Sequence, residues 1–357
     1  MADLEDLAAL AKLDSEDVLG AVERFPEQCR EAWEIGRATP RLPSGDGIES
    51  IVVLGMGGSG VSGDVTQAVI EPRLPIPFRT IKSYGPIPGW VGRNTLAFAV
   101  SYSGSTEETV AALHDAVHDR GARVVTISSG GPLKQMAVDL GVAHVQIPPG
   151  LQPRASLGYL TLPILAVLSQ MGLTPPADAE VDEAVKVLSE MAAERHRDRR
   201  ADVNPAKDLA RRIHGRIPVI YGGYGIGATA AYRFKCDLNE YGKTPAFWNY
   251  LPELDHNEIV GWNQLARLTS ENFMCILLRD AADGDRVDLR FEITRRLIEG
   301  HFAEVVEVRS QGSSELARLL SLIFATQLTA IYVGLSYDVD PGPVDVIQRL
   351  KAELSDR

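Results

Sequence analysis

Short, wholly apolar runs, each followed by a segment of helical period, recur along most of this 357-residue chain. Ile51-Val52-Val53-Leu54 leads into a glycine-rich stretch, and Leu96-Ala97-Phe98-Ala99-Val100 leads into a hydroxyl-rich one. Runs that are apolar throughout, rather than alternating, suit parallel strands covered on both faces. The pattern predicts strands near 51–56, 78–84, 95–101, 123–128 and 143–147, a helix near 132–140 and a long apolar helix over 156–171. Ahead of them, Leu4, Leu7, Leu10 and Val18, Val22, Phe25 keep helical spacing, so residues 1–45 read as a helical extension. The charged run from Ala192 to Arg200 predicts a solvated helix face or linker. The alternation restarts at Ile217-Pro218-Val219-Ile220-Tyr221-Gly222, with strands at 273–278 and 303–308 and helices at 287–299 and 315–333. The restart predicts an α/β chain of two repeated units, each a parallel sheet flanked by helices.

Two strand-to-helix turns of the first unit carry the candidate chemistry. In Ser101-Tyr102-Ser103-Gly104-Ser105-Thr106-Glu107-Glu108, four hydroxyl residues fall within six positions. They sit where free backbone N–H groups and the positive end of a helix favour an anion. Ser105 with Glu108 fits the S-x-x-E capping box, which would start the helix there. The other turn, Gly55-Met56-Gly57-Gly58-Ser59-Gly60, matches G-x-G-x-x-G. A dinucleotide site also expects an acid closing the next strand, and Phe78-Arg79-Thr80-Ile81-Lys82-Ser83-Tyr84 ends without one. A turn that brings backbone N–H and Ser59 toward one phosphate fits better. In a parallel sheet both turns open at the carboxyl ends of strands and can converge on one ligand. The second unit has no matching hydroxyl turn, since Arg279-Asp280-Ala281 follows its strand, so one phosphate site per chain is expected.

Composition narrows the class. With 45% hydrophobic and 24% charged residues the chain can build substantial cores. The net charge of −12 disfavours nonspecific nucleic-acid binding. No uninterrupted apolar stretch reaches the ~18 residues of a membrane span, and the acidic N-terminus lacks the positive charge of a secretory signal. Cys29, Cys236 and Cys275 are scattered and without metal spacing, as expected in a reducing, cytoplasmic setting.

Glu240 follows the helix-like run Ala230 to Leu238, and His256 comes sixteen positions later. A carboxylate and an imidazole are well suited to moving protons near neutral pH, although a helix-end ion pair and a helix cap account for them equally by spacing.

Taken in order, these segments resemble the bifunctional phosphoglucose/phosphomannose isomerases. The matching residues are the two turns, Pro153-Arg154-Ala155-Ser156-Leu157-Gly158-Tyr159, Asn239-Glu240, Leu254-Asp255-His256-Asn257-Glu258, and Asp340-Pro341-Gly342-Pro343-Val344 through Leu350-Lys351. The resemblance implies two tandem sugar isomerase (SIS) domains over 46–190 and 205–340, with 341–357 forming a last helix that reaches the active site. It implies that Gly57, Gly58, Ser59, Ser101, Ser103, Ser105 and Thr106 hold a sugar 6-phosphate. Glu240 would carry a proton between C1 and C2, and Arg154 would stabilise the enediol charge. His256, delivered by the partner of a homodimer, and Lys351 would assist ring opening. No cofactor, metal, nucleic acid or membrane is implied. A non-catalytic sugar-phosphate-binding regulator of the same fold is the alternative, and it would not need Glu240, His256, Arg154 and Lys351 together. Two positions depart from the pattern: Gly342 stands where threonine is frequent, and Ser105 where asparagine is usual. The first leaves open whether mannose 6-phosphate is a substrate beside glucose 6-phosphate.

Overall fold

A computed structural model describes residues 2–355, which form two compact units. One comprises residues 24–189 and 312–320, and the other residues up to 23, 190–311 and those from 321 onward.

The first of these units is built on strands β1 (Ser50–Leu54), β2 (Phe78–Ile81), β3 (Thr95–Val100), β4 (Arg123–Ser128) and β5 (Ala143–Gln146). They pair in parallel in the order β2-β1-β3-β4-β5. Every residue of β1 and β3 is buried, as the uninterrupted apolar runs require. Val52, Leu54, Ala97 and Ala99 face one core with Leu113 and Leu133. Burial of each valine- or leucine-sized side chain contributes roughly 1.5–3 kcal/mol. Helix Phe25–Arg37 packs against helix Leu157–Gln170 so closely that a Cβ on Gly36 would lie 2.6 Å from the Ala166 methyl. Its Gln28 is buried, donating to Ala155 O (2.9 Å) and accepting from Gly158 N (2.7 Å).

The other unit holds strands β6 (Ile217–Gly223), β7 (Phe247–Leu251), β8 (Phe273–Arg279) and β9 (Glu304–Arg309), parallel and ordered β7-β6-β8-β9. Strand β7 is an element the apolar pattern does not reveal. It is an edge strand with only Leu251 buried, and Asn249 interrupts its aromatic run. The run around Arg195–Arg200, expected to be solvated, is partly interior. Arg195 is buried, Arg197 binds Glu23 through its backbone N and Nε (2.8 Å each), and the fully buried Lys207 donates to Arg197 O (2.8 Å). Asp14 accepts from Val18 N and Leu19 N (2.8 Å each) and so starts helix Val18–Glu23. Helix Glu315–Ser336 is by length and composition apolar enough to cross a membrane, yet 94% of its apolar window is buried inside the protein. Its hydroxyls fold back on the helix, Thr326 to Leu322 O and Thr329 to Ala325 O at 2.8 Å each, so the polar residues do not break the apolar surface.

Candidate active site

In the unit built on β1–β5, the strand order reverses between β1 and its neighbours β2 and β3. That reversal opens a crevice outside the carboxyl ends of β1 and β3. Both sequence-predicted turns lie there. Met56 stands at the N-cap of helix Gly57–Ile70 and Thr106 at that of helix Glu107–His114, and neither makes a side-chain cap hydrogen bond. The cap side chains therefore take none of the first-turn N–H groups of either helix, which suits an anionic ligand. Gly57 has φ +51, a conformation that favours glycine, and a Cβ on Gly58 would press on Pro153 O at 2.8 Å. The chain thus brings the Arg154 turn, Pro153–Ala155, directly against the glycine turn. Arg154 is buried there, and Gln28 holds the end of its turn through Ala155 O.

Tyr102 joins these pieces. Its N–H donates to Ser59 Oγ (3.2 Å), and its hydroxyl donates to Pro148 O (3.0 Å) while accepting from Leu151 N (2.7 Å). One residue thus connects the glycine turn, the hydroxyl turn and the segment leading to Arg154. Ser101 is fully buried, 2.8 Å from Thr106 Oγ1, and accepts from Gly104 N (3.1 Å). Ser103 and Ser105 are exposed with their hydroxyls 3.0 Å apart. The expected capping box is absent: the N-cap is Thr106, not Ser105, because the Ser105 hydroxyl pairs with Ser103. Neither Gln28 nor Tyr102 carries a sequence signal for these roles, since their partners lie more than forty positions away.

The equivalent turn of the other unit, between β6 and helix Ile226–Glu240, is lined differently. Asp283 lies against Gly223, accepts from Asp280 N (3.0 Å), and is pushed up to about 6 mainly by burial. Carboxylates where the first unit has hydroxyls repel a phosphate. The neutral acid is the form the fold prefers. The resulting stability penalty is absent below pH ~4, develops between pH ~4 and ~6, and is full above that. Asp283→Asn should therefore raise Tm at pH 8, by the equivalent of about 2 kcal/mol once the ~3 kcal/mol of the full shift is reduced for solvent screening of a part-exposed group, and leave it nearly unchanged at pH 4. Thermal unfolding of both proteins across that range checks it; a pH-independent difference would contradict the assignment.

Glu240 is the half-buried last residue of helix Ile226–Glu240. One turn earlier, the buried Arg233–Asp237 pair (2.8 Å) fixes the helix end. Lys243, at φ +50, donates its ammonium to Glu240 O (2.6 Å), Pro341 O (3.3 Å) and Pro343 O (2.5 Å). It therefore binds the turn bearing Glu240 to the turn bearing Gly342. A Cβ on Gly342 would meet Glu16 at 3.1 Å and Asp340 at 3.2 Å. His256 ends the turn Glu253–His256 with its imidazole exposed, and Lys351 is exposed on helix Asp345–Ser355. The structure thus places the seven residues expected to hold the phosphate, and Arg154, in one unit, and Glu240, His256 and Lys351 in the other.

Residues 202–354 match the family described as the bacterial phospho-glucose isomerase C-terminal SIS domain. A bifunctional phosphoglucose/phosphomannose isomerase of Caldicellulosiruptor bescii is 36% identical over 94% of this chain and 98% of its own length. One of Aquifex aeolicus is 34% identical over 86% of this chain and 90% of its own. Among solved structures, a hypothetical protein of Thermus thermophilus shares the fold with a TM-score of 0.68 at 19% identity, covering 97% of this chain and 93% of that one.

Proposed function

The chain belongs to the bifunctional phosphoglucose/phosphomannose isomerase family and is a sugar-phosphate isomerase; on that premise we propose that it interconverts glucose 6-phosphate and fructose 6-phosphate through an enediol. The observation that carries this reading is the paired turn at the β1/β3 crevice, where two helix starts without side-chain caps and the hydroxyls of Ser59, Ser103, Ser105 and Thr106 suit one phosphate. Ser101 shapes that turn from below, and Gly57 and Gly58 offer backbone N–H groups.

The reaction moves one proton between adjacent carbons and needs no redox partner. In the open-chain aldose, the Glu240 carboxylate takes the proton from C2 and electrons flow onto the C1 carbonyl oxygen, forming the enediol. Return of the carbon-bound proton to C1, with the hydroxyl proton passing from O2 to O1, gives the ketose. Arg154 offsets the developing oxyanion charge. His256 and Lys351 move the proton that opens the ring. Mannose 6-phosphate, the C2 epimer, would pass through the same enediol. Its turnover depends on the wall at Gly342, which lacks a side-chain hydroxyl. Free Cys29, Cys236 and Cys275 fit a reducing compartment, and we assign the enzyme to the cytoplasm. The test is a coupled assay of fructose 6-phosphate conversion to glucose 6-phosphate by the purified protein. No turnover would reject the substrate assignment.

The reading also assigns a homodimer in which His256 serves the neighbouring subunit, supported by its exposed imidazole. Inactive Glu240→Gln and inactive His256→Ala chains, mixed and reassembled, should then regain up to about a quarter of wild-type turnover, since random pairing makes half the dimers mixed and each mixed dimer has one complete site. Heterodimers proven by mass spectrometry yet inactive would place His256 in its own chain's site.

A further inference from the structure

The segment that carries His256 is held from both sides by carboxylates. One residue before it, Asp255 accepts from Arg290 Nη1 (2.8 Å) and Thr294 Oγ1 (2.8 Å), both on helix Asp285–Ile298. Two residues after it, Glu258 accepts from the Tyr221 hydroxyl on Oε1 (2.5 Å) and from Asn249 Nδ2 on Oε2 (2.6 Å). Trp262 Nε1 donates to the same Tyr221 oxygen (2.9 Å). Tyr221 lies buried on the inner strand β6, and Asn249 lies on the edge strand β7. Asn257 Oδ1 accepts from Glu258 N (2.6 Å), and Asn257 Nδ2 donates to Glu253 Oε1 (2.8 Å). Between the two anchors, His256 makes no hydrogen bond to another described residue through its imidazole.

Partial burial of an ionised carboxylate beside Trp262 and Phe273 is costly unless its donors are well aligned. An apolar side chain would fill the same space and hold the segment to the sheet without that cost. What the carboxylate adds is direction, because two donors on two adjacent strands fix both of its oxygens. We infer that Glu258 is a positioning residue for His256: through Tyr221 and Asn249 it sets the orientation in which the imidazole is presented. This rests on the proposed role of His256 in ring opening, whereas the clamp stands on its own hydrogen bonds.

Glu258→Gln keeps the shape and the Tyr221 bond but turns an amide donor toward Asn249 Nδ2. It should lower kcat/KM for fructose 6-phosphate about 10- to 100-fold, as loss of one charge-assisted hydrogen bond would. Amide exchange over residues 253–262 should quicken. His256→Ala should cost less in this background than in wild type, since coupled residues are not additive. Asn249→Asp, which gives the new amide an acceptor, should recover most of the activity. Tyr221→Phe, which removes one hydroxyl only, should lose less and serves should Glu258→Gln fail to fold. Unchanged amide exchange over 253–262 would overturn the inference, as would quickened exchange with unaltered kcat/KM, or strict additivity with His256→Ala. If His256→Ala alone retains full activity, the role of His256 fails first and Glu258 has nothing to position. Quickened exchange in that case would still locate the fault in the imidazole assignment and not in the clamp.

Discussion

Glu240→Gln should lower kcat by about 10²–10⁴-fold, the usual worth of a positioned general base. Glutamine matches glutamate in shape and cannot accept a proton, so the change isolates the chemistry from the packing. The residue is half-buried at a helix end fixed by the Arg233–Asp237 pair and by the Lys243 ammonium on its carbonyl oxygen. Those contacts use the backbone and neighbouring side chains, so the fold and Tm should be preserved. KM should change little, because phosphate recognition is assigned to residues of the other unit. In deuterated water the wild-type enzyme should place solvent deuterium at C1 or C2 of the product pool, and the variant should do so at a rate reduced in step with kcat. Retained kcat in Glu240→Gln would reject this residue as the base.

Ser103→Ala combined with Thr106→Ala should act in the opposite way, raising KM for fructose 6-phosphate by about 10²-fold or more with a smaller change in kcat. A hydrogen bond to a charged group contributes ~1.5–3 kcal/mol, and each 1.4 kcal/mol is a factor of ten. Ser103 is exposed, and Thr106 stands at the start of helix Glu107–His114, so neither deletion opens a cavity in the core. The buried Ser101 would lose its partner Thr106 but keep the bond from Gly104 N (3.1 Å). Inorganic sulfate, which presents the same oxygens as the phosphate, should compete with substrate in wild type and weaken in parallel in the variant. A KM within twofold of wild type would move the phosphate site elsewhere.

What could be read from the chain follows the range over which each feature is encoded. The apolar runs at 51–54 and 96–100 are complete within a few residues, and they appear as β1 and β3 within one or two positions of the expected limits. The same holds for the helices predicted near 132–140 and 156–171, observed at Gly131–Leu140 and Leu157–Gln170. Strand β7 escaped because a half-exposed edge strand needs no apolar run, and its neighbour supplies the pairing. The charged run near Arg197 misled because burial of a charge depends on partners, here Glu23, 174 positions earlier. The capping box at Ser105 failed for a similar reason: the hydroxyls of the turn pair among themselves, which a three-residue spacing does not express.

By itself the sequence determined the alternation of strand and helix, the repeat of the α/β unit, the glycine and hydroxyl turns, and the order of motifs that marks the family. Each depends on local period, turn chemistry or residue identity, and needs no distant partner. Only the tertiary structure decided that Tyr102 joins Ser59 to the Arg154 segment, that Gln28 holds the Arg154 turn, that Lys243 ties Glu240 to the turn at Gly342, and that Glu258 is clamped by Tyr221 and Asn249. Most of these contacts link residues many positions apart, brought within hydrogen-bond reach by strand order and register. A hydrogen bond forms only when donor and acceptor come within about 3 Å in the right orientation, and that condition is set by the packed sheet.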